Sequence, residues 1–258
     1  MSEVPDGPGR KGVRVKAVIS AVSILAAVFL FSAASAAIDE EGVDNMLKDL
    51  HWLGHSSFRL DGPRTVYFDP LKLPAGSRKA DIIFISHEHF DHCSLDDIRL
   101  ITAQDTVIVC DKSAFKGLKG ALKCKDIKAV SAGDKLDVEG ISAEVVPSYN
   151  IGKKYHPKGA GYVGYIVTVN GVRFYHAGDT DMIPEMKDIR CDIALLPVGG
   201  TYTMDAEEAS EAALLIKPKA AIPMHYGDIV GTIDDAARFT GLLKGKIEAR
   251  IMDREGSS

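Results

Sequence analysis

Cysteine is scarce in this sequence: there are four, at positions 93, 110, 124 and 191. None forms a Cys-x-x-Cys pair, which excludes a zinc knuckle. Two states fit the spacing, a Cys110–Cys124 disulfide in an exported protein or buried free thiols. A basic tract is also missing. Setting aside the four basic and two acidic residues of 1–37 leaves 27 Lys and Arg against 34 Asp and Glu, a net charge near −7. That balance argues against nucleic acid as a partner, because proteins hold it largely by neutralising phosphates. No internal repeat and no low-complexity linker divides the chain, so 38–258 reads as one domain.

Long apolar runs are nearly absent as well. Only Ala17–Phe31 comes close to a membrane span, and its fifteen residues fall short of the ~20 that cross a bilayer comfortably. Arg10, Lys11, Arg14 and Lys16 precede it, and the small residues Ser32 to Ala37 follow. This order predicts a secretory signal cleaved after Ala36 or Ala37, with an uncleaved N-terminal anchor as the other reading. Either way the expected location is exported, periplasmic or extracellular, with the membrane met only through that segment.

What is present is the composition of a globular protein with a real core, 46% hydrophobic and 26% charged. Leu50–Leu60 and Thr65–Phe68 flank Asp61-Gly-Pro-Arg64 and read as a hairpin. Asp81–Ser86 is an unbroken apolar run, the pattern of a buried strand. Ser94 with Asp97 behind it predicts a helix start. Thr106–Cys110 and Ile141–Tyr149 read as strands, and Asn170-Gly171 between Tyr162–Val169 and Val172–His176 is the strongest hairpin signal. Later come strands at Ile193–Pro197, Ala220–Met224 and Lys246–Met252, and helices at Asp205–Ile216 and Ile233–Leu243. Strands early in each half with helices after them suggest an α/β fold of two packed sheets with helices outside.

The chemistry concentrates in Ile85-Ser-His-Glu-His-Phe-Asp-His-Cys-Ser94, where three of the eight histidines and an aspartate crowd together. Imidazole and carboxylate are the usual ligands for zinc and its neighbours. Two-residue alternation at a strand end aims His87 and His89 the same way, and Asp91 and His92 follow in the turn. A solvated turn has no need of three histidines after a run of Ile and Phe. Gly159-Ala-Gly-Tyr-Val-Gly164 satisfies G-x-G-x-x-G on paper, but it leads into a strand rather than a helix, so it is no dinucleotide fingerprint.

The His-x-His-x-Asp-His signature resembles that of the metallo-β-lactamase superfamily, over most of residues 49–252. Tyr175-His-Ala-Gly-Asp-Thr180 is similar to the family's Asp motif and Ile222-Pro-Met-His-Tyr-Gly227 to its last His motif. Leu53-Gly-His-Ser-Ser-Phe58 and Pro197–Met204 resemble a branch of metal-dependent hydrolases related to ascorbate-phosphate lactonase and N-acyl phosphatidylethanolamine phospholipase D. The resemblance implies a four-layer αββα sandwich. It also implies one or two divalent ions, zinc first with Mn or Fe as alternatives, held by His87, His89, Asp91, His92, Asp179 and His225. Asp179 would bridge them, and Asp91 would hold a metal-bound hydroxide for attack on an ester, lactone or phosphodiester of a small molecule. Two such ions with Asp91, Asp179 and a hydroxide sum to about +1, which suits an anionic substrate.

One position departs from the pattern. The family's further histidine falls here on Asn150, in Val145–Ile151, and an amide oxygen is a poor zinc ligand beside imidazole. His156, six residues on, either folds inward as a ligand, hydrogen-bonds its loop or meets substrate. Lys153, Lys154 and Lys158 on that loop are a solvated run or an anion-steering rim. His55 and His176 sit beside matched motifs and could contact metal or substrate, Tyr202 could donate to an oxyanion, and His51 reads as a strand residue. Two rival functions stay open: a mononuclear-iron persulfide-type oxidoreductase and a non-catalytic envelope metal-binding protein.

Overall fold

Apolar runs with no polar interruption become strands covered on both faces, and this molecule builds two sheets from them. A computed structural model describes residues 40–256 together with Met1 and Glu3. The signal or anchor reading of 1–37 lies outside the described residues. Among the described residues no helix is long and apolar enough to cross a membrane.

The first sheet runs in chain order: β1 (Leu50–Gly54), β2 (Ser57–Leu60), β3 (Val66–Phe68), β4 (Ile82–Ile85), β5 (Val107–Asp111) and β6 (Asp126–Val130). The second does the same, from β7 (Lys135–Val138) through β8 (Ile141–Pro147), β9 (Val163–Val169), β10 (Val172–His176), β11 (Ile193–Pro197) and β12 (Ala220–Met224) to β13 (Glu248–Ala249). Each begins antiparallel and ends parallel: β3 to β6 in one, β10 to β13 in the other. Among the described residues five α-helices accompany them: α1 (Glu40–Leu47), α2 (Leu95–Ile101), α3 (Lys112–Leu118), α4 (Ala206–Ile216) and α5 (Ile233–Leu243).

Strand β4 shows how the layers are held. Ile82 and Phe84 face the core between the sheets, whereas Ile83 and Ile85 pack with Ile98, Ile101, Ala114 and Leu118 of α2 and α3. All four strand side chains are fully buried, and each such burial contributes about 1.5–3 kcal/mol. On the other side α4 and α5 pack on each other and on β11 and β12, whose Ala194, Ala220 and Ala221 admit close approach. The result is the expected αββα sandwich.

Several local expectations are met at the residue. Asn170 and Gly171 both have positive φ (52° and 80°), as a two-residue primed turn requires. Asp205 and Glu208 form the capping box of α4, and Ser94 Oγ accepts from the Asp97 amide at the start of α2. Others are corrected. Leu50–Leu60 is two strands folded at His55-Ser56, and only the second, β2, forms the expected hairpin with β3 across Asp61–Arg64. The Lys246–Met252 strand shrinks to β13, and the four cysteines are free thiols, so Cys110 and Cys124 are not paired.

Candidate metal centre

In each sheet the parallel strands bring their carboxyl ends to one edge, where sites in mixed sheets form. His87, His89, Asp91 and His92 follow β4, Asp179 follows β10 and His225 follows β12. The backbone is strained there. Eight described non-glycine residues have positive φ, and four of them, His55, Asp69, His156 and His225, belong to this edge. Such conformations cost about 1–3 kcal/mol each and persist where surrounding structure enforces them, typically at functional sites.

Three overlapping groups of side chains place ligand atoms within 4.8 Å of one another: His87, His89 and His156; His87, His92 and Asp179; and His55, Asp91, His92 and His225. In the first group His89 Nδ1 lies 3.0 Å from both His87 Nε2 and His156 Nε2. Asp179 sits between the groups. Its Oδ1 is 3.1 Å from His92 Nε2, and its Oδ2 is 3.1 Å from His225 Nε2 and 3.4 Å from His156 Nε2. Asp91 Oδ2 is 3.2 Å from His55 Nε2, 3.5 Å from His92 Nε2 and 3.8 Å from His225 Nε2.

These spacings fit a metal. Two nitrogens bound at ~2.1 Å to one tetrahedral ion lie ~3.4 Å apart. The buried His92 Nε2, His225 Nε2 and Asp179 Oδ1 have no hydrogen-bond partner among the described residues, and buried polar atoms seldom go unpaired without a reason.

The atoms behind the cluster set its protons. Ser86 Oγ donates to Asp69 Oδ2 at 2.6 Å, so it accepts from His87 Nδ1 at 2.9 Å. His92 Nδ1 donates to the same carboxylate at 2.7 Å. Both rings therefore turn Nε2 inward as a free ligand atom, the second-layer arrangement of metal-bound histidine. Burial keeps His87 well below an ordinary histidine pKa, so it stays neutral. At Asp179 burial alone would raise the pKa, yet His225 and His92 pull it well down and keep a carboxylate. At His92 burial lowers the pKa, but Asp179 and Asp69 outweigh it and push it well above the ordinary value. The space between these groups attracts positive charge.

His156, and not Asn150, brings a ring nitrogen to His87 and His89. In the segment 151–161 it is the one buried residue, drawn inward by Asn150 itself. The Asn150 amide N–H donates to His156 O at 2.7 Å, and its side-chain Nδ2 donates to Tyr155 O at 3.1 Å and Tyr202 O at 2.6 Å. His156 Nδ1 is 3.2 Å from Tyr202 O, a proton-donating contact that leaves Nε2 for the cluster. Lys153 latches the same loop by donating to Asp181 Oδ1 and Thr203 O, each at 2.6 Å. Lys158 pairs with Glu185 at 2.8 Å, and Lys154 lies over the Tyr155 ring. None of the three is among the residues that line the cavity.

His55 joins the cluster through Asp91. His176 does not: its Nε2 donates to Ser56 O at 2.8 Å and its ring stacks on Phe68 between the sheets. Tyr202 lines a cavity of about 280 Å³ with His89, Phe90, Asp91, Tyr155, His156, Asp179 and Ile229. His51 pairs with Asp61 and Glu255 at the surface. Gly199 leaves no room for a side chain, since a Cβ would stand 2.5 Å from His225 O. Sequence reasoning missed Asp69 and Tyr162. A carboxylate directly after the apolar Val66-Tyr-Phe68 and before Pro70 is the trace that marks Asp69. Tyr162, whose ring packs on His87 and whose hydroxyl donates to Glu88 Oε1 at 2.9 Å, leaves none.

Residues 49–225 match the Beta-lactamase superfamily domain. A UPF0173 metal-dependent hydrolase of Methanoculleus marisnigri is 36% identical over 69% of this chain and 80% of its own length. One from Archaeoglobus fulgidus is 33% identical over 76% and 90%. Among solved structures, a Parabacteroides distasonis protein bearing the metal-dependent hydrolase name superposes with a TM-score of 0.70 at 35% identity, over 78% of this chain and 91% of its own. With fold, cluster and relatives in agreement, the chain is a metal-dependent hydrolase of the metallo-β-lactamase superfamily and belongs to its UPF0173 group.

Proposed function

We propose that this edge holds two divalent ions, zinc first among them, and hydrolyses an ester, lactone or phosphodiester bond of a small molecule. The observation that carries this is the convergence of six imidazoles and two carboxylates on one cavity, with buried ligand atoms unpaired among the described residues. His87, His89 and His156 would hold the first ion and Asp91, His92 and His225 the second, with the Asp179 carboxylate lying between the two groups. When bound, such ions bring the pKa of water toward ~7 and polarise the electrophile.

The chain's own residues do the positioning. Asp69 and Ser86 fix the imidazole protons of His87 and His92. His55 holds Asp91 through the carboxylate Oδ2 at 3.2 Å, and Asp91 and Tyr202 both line the cavity. The exported location of the mature chain remains part of this reading and rests on residues 10–37; fractionation of cells expressing the full chain checks it. The function itself is tested by metal quantification followed by an ester, lactone and phosphodiester panel, wild type against His89→Ala and Asp179→Ala. Both variants fold and lose activity by more than about a thousandfold, the scale on which nucleophile activation acts. Full turnover by either, or oxygen uptake in place of hydrolysis, would overturn it.

A further inference from the structure

We infer that the cavity takes an uncharged ester or lactone with an apolar acyl portion, a refinement that rests on the hydrolytic reading above. Away from the ligand cluster its wall is Phe90, Tyr155, Tyr202 and Ile229. Phe90 is 71% exposed, and Tyr155 and Ile229 are exposed as well, so three large apolar side chains meet solvent at one opening. Apolar side chains exposed together at the mouth of one cavity suit an apolar ligand group. Tyr155 and Tyr202 meet edge to face at 5.1 Å and give the wall a fixed shape.

Charge is missing from that wall. Among the described residues no lysine or arginine lines the cavity; of the lysines on the loop beside it, Lys153 pairs with Asp181, Lys158 with Glu185, and Lys154 lies over the Tyr155 ring. A substrate carrying an anion beyond its scissile group would find no partner. Phe90 lies between His89 and Asp91, and Tyr155 adjoins His156. The apolar wall is therefore one residue from the cluster, which places the apolar group next to the scissile carbonyl. The cavity, about 280 Å³, has room for roughly ten heavy atoms at the ~30 Å³ share of a liquid water. Water adds its oxygen to the carbonyl carbon. The acyl C–O bond breaks, its electron pair leaves on the alkoxy oxygen, and that oxygen takes the proton from water. The products are a carboxylic acid and an alcohol, and no oxidant is needed.

The test measures proton release by the metal-loaded full chain on ethyl acetate and ethyl hexanoate, with bis(4-nitrophenyl) phosphate as the anionic comparison. Complete burial of a methylene raises kcat/KM about fourfold, and for this half-open wall hexanoate exceeds acetate by at least about tenfold. In Phe90→Ser and Ile229→Ser, checked for full metal content and a cooperative melt, that ratio falls toward one. Two variants on separate loops are used because either alone could disturb folding, and the wild-type ratio decides independently of both. A flat wild-type ratio, a preference for the phosphodiester, or an unchanged ratio in both well-folded variants overturns the acyl assignment while leaving hydrolysis standing. No turnover of any of the three by metal-loaded protein sinks the hydrolytic reading itself.

Discussion

Asp69 holds more of the centre than its sequence position advertises. It accepts from the Ser86 amide at 2.7 Å and from His92 Nδ1 at 2.7 Å, and it fixes His87 through the Ser86 hydroxyl. Asp69→Asn should therefore weaken metal binding by about 10–100-fold, measured by chelator competition, even though Asp69 is not itself a ligand; unaltered affinity would remove its positioning role. The buried rings give a second prediction. Burial lowers the pKa of His55, His87, His156 and His176 below 6.5, so the unfolded chain takes up protons first as pH falls. Their stabilisation is complete above about 6.5 and is lost as pH drops toward the folded values. His92 is raised instead, so its contribution is present below 6.5 and lost on the alkaline side. Four against one, the Tm of chelator-stripped protein falls between pH 7 and pH 5; a rise over that interval would contradict the assignment. The dense cluster, Asp179 and His225 were legible because their spacing and strand ends survive in one dimension. Asp69 was not, because its importance comes from a sheet pairing that sets it beside residues seventeen and more positions away.

At the scale of the element, the loop from 150 to 158 is the least regular part of the site and the most tightly tied. Lys153 closes it onto Asp181, and the Ile151 amide donates to the other oxygen of the same carboxylate at 2.7 Å. Lys153→Ala should loosen the His87, His89 and His156 position selectively. Titration with a graded chelator then shows two phases where wild type shows one, and a uniform loss across both positions would refute the latch. The strands legible in sequence were those with continuous apolar runs, β4, β5, β11 and β12, all buried on both faces. The edge strands β6 and β7 passed unseen, because half-exposed edges carry charges that look like loop. Helix α3 passed too, because its start depends on Asp111 capping the amides of Ser113 and Ala114 and not on a periodic face. The inward turn of His156 could be named in sequence as one of several outcomes, but only the cradle of Asn150 and Tyr202 decides it.

Across the whole molecule, the first sheet brings His87, His89, Asp91 and His92, and the second brings His156, Asp179 and His225. Ions held between them would tie together two layers that otherwise meet through their apolar core and a few hydrogen bonds, such as Tyr165 OH to Ile85 O at 2.8 Å and His176 Nε2 to Ser56 O at 2.8 Å. Metal saturation should accordingly raise stability by about 4 kcal/mol at a thousandfold excess over Kd, a rise in Tm on the order of 10 °C for a domain of this size. A melt that does not respond to chelator would show that the folded chain holds no ion at this edge. The wall residues Phe90 and Tyr155 are chain neighbours of His89, Asp91 and His156, so a substitution that reshapes the pocket also tugs on the groups that grip the ions. Changes of substrate in this lineage should come in correlated sets, a wall residue with a compensating partner in the latch, and single swaps should be purged before they can be selected.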